Sequence, residues 1–301
     1  MADNPNNGPS NGPTSDPTDS PTGGPINRPI DRYGVMGYPV SHSRSPVIHR
    51  LFALQTGQDL QYELLQVPPE KLGSALKQFE RTGGKGLNVT MPHKSEVVKF
   101  VDRLSQRAES AGAVNTLTFE AGLIHGDNTD GVGLLRDLRS NLGLAIEGSN
   151  ILILGAGGAT RGVVRPLLEA GATSVMIANR TLSKAEKLVE WFSAFGPVYA
   201  CSFDDVPRTV HYEIVINATS AGLKGQAPPY PDGAVTGTTF CYDLSYGLTP
   251  TPFSQWASKH GAAQSVMGWG MLVEQAAESF RIWRGVRPST EPVLKQLSIS
   301  A

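Results

Sequence analysis

Short apolar runs alternate with amphipathic stretches from residue 33 onward, which is typical of βα units around a mainly parallel sheet. The run over residues 33–38 predicts a strand. Ser45 and Pro46 then supply the N-cap and the first-turn proline of a predicted helix that ends at Gly57. The expected apolar face of this helix is Val47, Ile48, Leu51, Phe52 and Leu54. The predicted fold class is therefore α/β.

Four more elements continue the alternation and predict a first domain. They are a helix through Leu72, Leu76 and Phe79, a strand over 86–90, a helix through Val97, Val98, Val101 and Leu104, and a strand over 113–119.

A second series of elements begins at residue 150. Residues 150–154 form a continuous apolar run, as expected of a central parallel strand that is buried on both faces. The next elements are a helix ending near Gly171, a strand over 174–178, a helix opened by a capping box from Ser183 to Glu186, and a strand over 214–217. This order predicts a Rossmann-like domain. A last helix over 271–283 is expected to pack on the first domain.

The first 31 residues differ from the rest of the chain. Proline recurs at every fourth position from Pro5 to Pro29, and large apolar side chains are almost absent. Such a segment cannot bury enough apolar surface to fold, so residues 1–31 are predicted to be a disordered tail. The tail has neither the apolar stretch of a secretory signal nor the basic character of a transit peptide, so a cytoplasmic location is expected by default.

Composition excludes several classes of function. The 301 residues suffice for two domains with a cleft between them, and no apolar run approaches the roughly 20 residues that span a bilayer. The formal net charge of −1, without blocks of like charge, argues against nucleic acid as a partner. Cys201 and Cys241 have no histidine at ligand spacing, which predicts two buried thiols and neither a disulfide nor a metal site.

A glycine-rich turn follows the strand over 150–154 and opens a helix. Its residues are Gly155, Ala156, Gly157, Gly158, Ala159 and Thr160. Thr160 replaces the third glycine of the G-x-G-x-x-G fingerprint, but strand, turn, helix and next strand are all in place. Backbone N–H groups and a helix N-terminus can bind a pyrophosphate there, so the turn predicts a dinucleotide cofactor.

The end of the strand over 174–178 indicates which dinucleotide binds. It continues into Asn179, Arg180 and Thr181, with Lys184 one helical turn later. The carboxylate that would accept hydrogen bonds from the ribose of NAD is absent from this segment, and two cations are present. Because a guanidinium binds phosphate oxygens bidentately, the segment favours NADP.

Two polar motifs place Lys94 and Asp130 where a ligand could bind. Lys94 ends the segment 86–94, which runs from a predicted strand into a turn marked by Pro92, and Asp130 lies in the segment 127–131 just before a helix. Ligands of α/β proteins bind at the carboxyl ends of strands, so both side chains could face one cleft.

Several segments together resemble the shikimate dehydrogenase family. They are residues 41–46, 88–94, 111–116, 126–131, 155–161, 217–220 and 268–275. The resemblance implies an oxidoreductase of aromatic amino acid biosynthesis, in the chorismate pathway, that reversibly reduces 3-dehydroshikimate to shikimate with NADPH. It also implies a discontinuous substrate domain, over 32–130 and the C-terminal helices of 268–301, around an NADP-binding domain over 131–267.

Carried over residue by residue, the resemblance makes Lys94 and Asp130 the catalytic pair. The implied substrate residues are Ser43, Ser45, Thr90, Lys94, Asn115, Asp130, Tyr246 and Gln275. The expected cofactor residues are Gly155, Ala156, Gly157, Gly158, Ala159, Asn179, Arg180, Thr181, Lys184, Leu244 and Gly268. The chemistry agrees, because a lysine ammonium can stabilise and protonate the oxygen that becomes negative when a ketone accepts a hydride.

The serine motif has two competing interpretations. If residues 43–45 are extended, both serine hydroxyls point the same way and can donate to a substrate carboxylate. The N-cap interpretation of Ser45 competes with this role. His42, His49 and His93 are expected to be local structure, since Lys94 and Asp130 already supply the required acid–base groups.

Two other functions are weighed against the first. A quinate/shikimate dehydrogenase that uses NAD would have a similar fold, but Arg180 argues against it, as does Ser45, where quinate-using relatives tend to have threonine. A non-catalytic ligand sensor would not need to retain both Lys94 and Asp130. Lys184, Leu244 and Trp269 depart from the family pattern. The oligomeric state, monomer or homodimer, stays open.

Overall fold

The computed structural model describes residues 30–219 and 229–299. Nearly all of the predicted tail, residues 1–29, lies outside the described residues, as does Ser220 of the segment 217–220. Within the described part of the chain, no helix is long and apolar enough to cross a membrane.

The described residues form two six-stranded sheets with helices packed on them. The strands are β1 Asp31–Gly37, β2 Leu60–Gln66, β3 Gly84–Val89, β4 Arg103–Leu104, β5 Thr116–Glu120, β6 Leu123–Asp127, β7 Asn150–Leu154, β8 Ser174–Ala178, β9 Val198–Cys201, β10 Ile214–Asn217, β11 Phe240–Asp243 and β12 Gln264–Met267. The helices are α1 Ser45–Thr56, α2 Leu72–Arg81, α3 Gln106–Ala111, α4 Asp130–Arg136, α5 Gly158–Glu169, α6 Leu182–Phe192, α7 Pro252–Lys259, α8 Trp269–Arg284 and α9 Glu291–Ile299.

The first sheet is mixed, with the order β2-β1-β3-β5-β6-β4. Strands β1, β2 and β3 are parallel, whereas β5 and β6 form an antiparallel hairpin. Ala121 and Gly122 make the hairpin turn with φ of 51° and 76°. Since β5 pairs with β3, the Val89 N–H donates to the Asn115 carbonyl at 2.8 Å. The hairpin therefore places Asn115 beside the end of β3.

The second sheet is entirely parallel, with the order β12-β11-β10-β7-β8-β9. Its strand β7 lies near the centre, and all four of its aliphatic side chains are fully buried. Ile151 and Ile153 pack into one hydrophobic cluster and Leu152 and Leu154 into another. The predicted central strand, covered on both faces, is confirmed, and so is the α/β fold class.

The predicted helix through Val97 and Leu104 is wrong. Residues Glu96–Phe100 form a 3₁₀ helix, and Arg103–Leu104 form strand β4, which pairs with β6. The Asp102 carboxylate accepts the Ile124 N–H at 2.7 Å. Because this bond and the β4–β6 pairing satisfy backbone groups across the sheet, the apolar spacing does not produce a helix.

Helix α1 starts differently from its prediction. Arg44 occupies the N-cap position without a side-chain cap, so Ser45 is the first helical residue and not the N-cap. The C-cap at Gly57, with φ of 63°, is as predicted. Two members of the predicted apolar face, Val47 and Leu54, are 42% and 71% exposed. The other three pack towards α8 and α9, whose contacts fix which face of α1 is covered.

The capping box predicted at Ser183 is also wrong. Helix α6 begins at Leu182, with Thr181 in the N-cap position and no side-chain cap bond. The predicted start was therefore two residues late.

Helix α8 joins the two halves of the chain. Its Val273 and Phe280 pack with Ile48 and Phe52 of α1, on the first sheet. On the other side, the Gly133 Cα approaches α8 so closely that an added Cβ would lie 2.8 Å from the Gln275 nitrogen. The expected return of the last long helix to the beginning of the chain is confirmed.

Both cysteines are buried and unpaired, as predicted. Burial raises the pKa of the Cys201 thiol to about 11 and that of Cys241 to about 12. These thiols are therefore protonated and poorly nucleophilic near neutral pH.

Candidate active site

A cavity of about 350 Å³ is lined by residues that follow strands of both sheets. All eight of the predicted substrate residues line it: Ser43, Ser45, Thr90, Lys94, Asn115, Asp130, Tyr246 and Gln275. From the predicted cofactor set, Gly157, Gly158, Ala159, Leu244 and Gly268 line it as well. The remaining six, Gly155, Ala156, Asn179, Arg180, Thr181 and Lys184, lie outside its lining.

Lys94 and Asp130 form an ion pair in this cavity. The distance from Lys94 Nζ to Asp130 Oδ2 is 2.6 Å, and the side chains are 17% and 4% exposed. Lys94 follows the turn after β3, and Asp130 is the first residue of α4. An ammonium so little exposed interacts more strongly with a nearby charge than one in bulk water does. The pair can therefore act on a polar group inside the cavity.

Two asparagines hold Asp130 in place. Asn115 Nδ2 donates to Asp130 Oδ1 at 2.9 Å, so each carboxylate oxygen has a partner. Asn128 Oδ1 accepts the Asp130 N–H at 3.1 Å, while Asn128 Nδ2 donates to the Ala113 carbonyl at 2.9 Å. Asn128 is buried and was not singled out from the sequence. The signal that could have found it is an asparagine two residues before the aspartate, the spacing of an Asx turn.

Helix α8 brings Gln275 into the same network. Gln275 Oε1 accepts from Asn115 Nδ2 at 3.3 Å, and Gln275 Nε2 donates to the Leu272 carbonyl at 2.8 Å. The residues around Asp130 thus come from the segment after β3, from the two segments that flank the β5–β6 hairpin, and from α8. No local sequence window contains all of them.

The two serines of the 41–46 segment lie side by side. Ser43 Oγ donates to Ser45 Oγ at 3.2 Å. Arg44 has φ −89° and ψ −3°, which is a helical and not an extended conformation. The supposed extended geometry is therefore wrong, yet the turn still brings both hydroxyls to the cavity.

Tyr246 reaches this serine pair from the second sheet. Burial raises the pKa of its hydroxyl, and the neighbouring Arg44 backbone and Ser43 hydroxyl offset part of that rise. The Tyr246 ring packs on Trp269, with 4.8 Å between centroids. Tyr246 therefore contacts both the serine segment of the first half of the chain and the first residue of α8.

The histidines differ from one another. His93 is buried, with Nε2 2.7 Å from the Val67 carbonyl. His49 is fully buried and stacked on Tyr62 at 4.2 Å, and burial lowers its pKa to about 3, so it is neutral. These contacts agree with the expected structural roles of both. His42 lines the cavity, and its role stays a prediction.

The glycine-rich turn offers a place for a phosphate. Gly155 has φ of 110°, and an added Cβ would lie 3.0 Å from the Ala218 carbonyl. Nothing lies within 4 Å of a Cβ built on Gly157, so that face is open. Helix α5 begins at Gly158 without a side-chain cap or an acidic residue in its first turn, so its N–H groups remain available to an anion.

Thr160 replaces the fingerprint glycine without disturbing the turn. Its hydroxyl donates to the Gly155 carbonyl at 2.7 Å, and the residue is fully buried. The threonine therefore ties the end of the turn to its beginning.

The predicted basic segment lies at the carboxyl end of β8, next to this turn. Asn179 Nδ2 donates to the Thr181 carbonyl at 2.8 Å, while Arg180, Thr181 and Lys184 are exposed. Both cations can therefore meet a ligand that extends from the turn over the sheet edge.

Three family models match the chain. Residues 35–117 match the substrate binding domain of shikimate dehydrogenase, residues 138–224 match shikimate / quinate 5-dehydrogenase, and residues 268–297 match the shikimate 5'-dehydrogenase C-terminal domain.

Curated proteins and solved structures resemble the chain over most of its length. It is 54% identical to the shikimate dehydrogenase (NADP(+)) of Alkalilimnicola ehrlichii, covering 89% of this chain and 98% of that one. An Ael1 enzyme from Pseudomonas putida has 42% identity and a TM-score of 0.81, covering 89% and 98%. Shikimate 5-dehydrogenase from Thermus thermophilus, in complex with NADP(H) and shikimate, has 33% identity and a TM-score of 0.79, covering 90% and 100%.

Helix α5 lies so close to the turn that carries Asp130 that adding one methyl group at Gly131 should destabilise the fold. A Cβ at Gly131 would lie 2.3 Å from Pro166 Cγ and 2.6 Å from the Gly162 carbonyl. Gly131→Ala should therefore lower the free energy of unfolding by about 2 kcal/mol through overpacking. Gly237→Ala is the control, since nothing lies within 4 Å of its Cβ. Equal urea midpoints for both variants would contradict this packing.

Proposed function

The chain belongs to the shikimate dehydrogenase family, and on that premise we propose that it reversibly reduces 3-dehydroshikimate to shikimate with NADPH. The observation that carries the proposal is the Lys94–Asp130 ion pair, which lines the same cavity as Gly157 and Gly158 at the start of α5. A proton donor thus shares one cavity with a candidate phosphate cradle, as a dehydrogenase requires.

Lys94 is the group that acts on the reacting oxygen. NADPH, when bound, supplies the hydride. As the ketone is reduced, negative charge develops on its oxygen, and the Lys94 ammonium stabilises that charge and donates a proton. In the opposite direction Lys94 accepts the proton from the substrate hydroxyl. Asp130 orients Lys94 through the 2.6 Å contact and accepts a hydrogen bond from a ring hydroxyl.

The other cavity residues bind and orient the substrate. Ser43 and Ser45 donate hydrogen bonds to the substrate carboxylate. Their hydroxyls lie side by side, which supports this role. The remaining polar groups proposed to surround it are Thr90, Asn115, Tyr246 and Gln275. Because Asn115 donates to both Asp130 and Gln275, a ring held by these side chains would also keep the proposed catalytic carboxylate in place.

The cofactor residues fit a dinucleotide that carries a 2′-phosphate. The open face of Gly157 and the uncapped N-terminus of α5 suit a pyrophosphate. Arg180 and Lys184 are exposed cations beside that turn, and they suit the 2′-phosphate of NADP. Leu244 and Gly268 line the cavity near the reacting end.

The proposed domain boundaries remain 32–130, 131–267 and 268–301. They are supported by the end of the first sheet at Asp127, the start of the second at Asn150 and the start of α8 at Trp269. A cytoplasmic location, a monomeric or homodimeric state and the absence of nucleic-acid binding stay predictions from the sequence.

Initial rates of the wild-type protein test the activity. We expect shikimate oxidation with NADP to exceed oxidation of quinate, and NADP to be preferred to NAD, because Arg180 and Lys184 favour the 2′-phosphate. Comparable rates with quinate or NAD would favour a quinate/shikimate dehydrogenase. Ligand binding without turnover would favour the sensor.

Charge-neutral replacement of the basic segment tests cofactor choice. Arg180→Gln should raise KM for NADP about tenfold, since one charge-assisted hydrogen bond is lost, while kcat changes little. Lys259→Gln, an exposed cation on α7, is the matched control and should leave KM unchanged. An unchanged KM in Arg180→Gln would place the 2′-phosphate elsewhere.

A further inference from the structure

A second cavity, of about 290 Å³, lies behind the turn that carries Asp130, where α3, α4 and α5 meet. Asn128 and Gly162 line it, and both lie against Asp130, which lines the active-site cavity. Its lining contains four arginines and only one carboxylate, that of Glu169. They are Arg107, Arg139, Arg161 and Arg165.

Two of these arginines already have carboxylate partners. Arg107 Nε lies 2.6 Å from Asp127 Oδ1, and its Nη1 lies 3.2 Å from Glu278 Oε1. Arg165 Nε lies 2.6 Å from Glu169 Oε1. The charge of this pair of arginines is therefore balanced within the protein.

The other two have no carboxylate within ion-pair distance among residues 30–219 and 229–299. Arg139 Nη2 donates only to the Ala170 carbonyl, at 2.9 Å. The Arg161 guanidinium lies over the Trp191 ring at 5.6 Å, and partial burial lowers its pKa. For the partly buried Arg161, withdrawal from water without a counter-ion is unfavourable, and an anion in the cavity would offset that cost.

We propose that this second cavity binds a small anion that carries a phosphate group, held by Arg161 and Arg139. The two arginines come from α5 and from the π-helical segment Asp137–Asn141 that follows α4, so they approach the cavity from different elements. A tetrahedral phosphate offers acceptor oxygens in several directions, whereas a carboxylate offers two in one plane, and guanidinium groups suit phosphate.

The site is separate from the proposed cofactor site. The N-terminus of α5 at Gly158 opens on the active-site cavity, whereas Arg161 and Arg165, further along the helix, line the second one. An anion there would contact α3, which follows β4 of the first sheet, and α5, which follows β7 of the second. Its binding would therefore restrain the two halves of the chain relative to each other.

Trp191 provides a local reporter for this cavity. Its Nε1 donates to the Ser110 carbonyl at 2.6 Å, and its ring contacts Arg161. Titration of the full chain with inorganic phosphate should change the tryptophan emission, and Trp191→Phe should abolish that change. Calorimetry then gives the affinity in each variant.

Arg161→Gln should weaken phosphate binding at least tenfold, as expected when one charge-assisted contact is lost. Arg136→Gln, an exposed arginine of α4 outside the cavity, is the matched control and should bind like wild type. The double variant Arg180→Gln/Lys184→Gln should retain binding, because it alters only the proposed cofactor phosphate site. If Arg161→Gln fails to fold, the exposed Arg139→Gln carries the same test.

Three outcomes would overturn the site. They are no phosphate binding by wild type in the millimolar range, unchanged binding in Arg161→Gln and Arg139→Gln, or a loss confined to the Arg180/Lys184 variant. Malonate that binds as tightly as phosphate would overturn the assignment to a phosphate group.

Discussion

The largely buried ion pair between Lys94 and Asp130 is the interaction on which the rest of the site depends. Removing two ions from water costs several kcal/mol per ion, and only good geometry with further hydrogen bonds offsets that cost. Here Asn115 supplies a bond to the second carboxylate oxygen, and Asn128 accepts the Asp130 N–H. The segment that leads into the β5–β6 hairpin therefore holds the proposed catalytic carboxylate in place, although the hairpin lies outside the parallel strands that a βα pattern predicts.

The candidate active site also depends on close packing of helices α4, α5 and α8. Gly131 and Gly162 let α5 approach the Asp130 turn, and Gly133 lets α8 approach α4. The start of α5, which we propose as the phosphate cradle, is thereby held against the catalytic carboxylate. At Gly158, an added Cβ would lie 3.3 Å from Lys94 Cβ, so the cradle and the proton donor are direct neighbours. One packed unit of helices thus holds the proposed phosphate cradle and the proposed catalytic pair next to each other.

Local patterns in the sequence predict part of this arrangement, and tertiary contacts decide the rest. The apolar run of β7 and the glycine turn after it are local signals, and the strand–turn–helix order that they predict is confirmed. The helix expected through Val97 and Leu104 failed because β4 pairs with β6, and the face of α1 was misjudged because α8 and α9 select it. The bond from Asn128 to Asp130 has a local signal in the Asx-turn spacing, whereas its bond to the Ala113 carbonyl, 15 residues earlier in the chain, has none.

The most direct test of the ion pair compares binding with turnover in Lys94→Met, a variant that keeps the side-chain volume and removes the charge. The dissociation constant of shikimate should stay within about tenfold of wild type, because the serines and the remaining polar groups still hold it. The kcat should fall by about 10² to 10⁴, the usual contribution of a positioned proton donor. Lys99→Met, at an exposed lysine paired with Glu96, is the control and should turn over like wild type. A kcat near the wild-type value in Lys94→Met would contradict the proposed role of the pair.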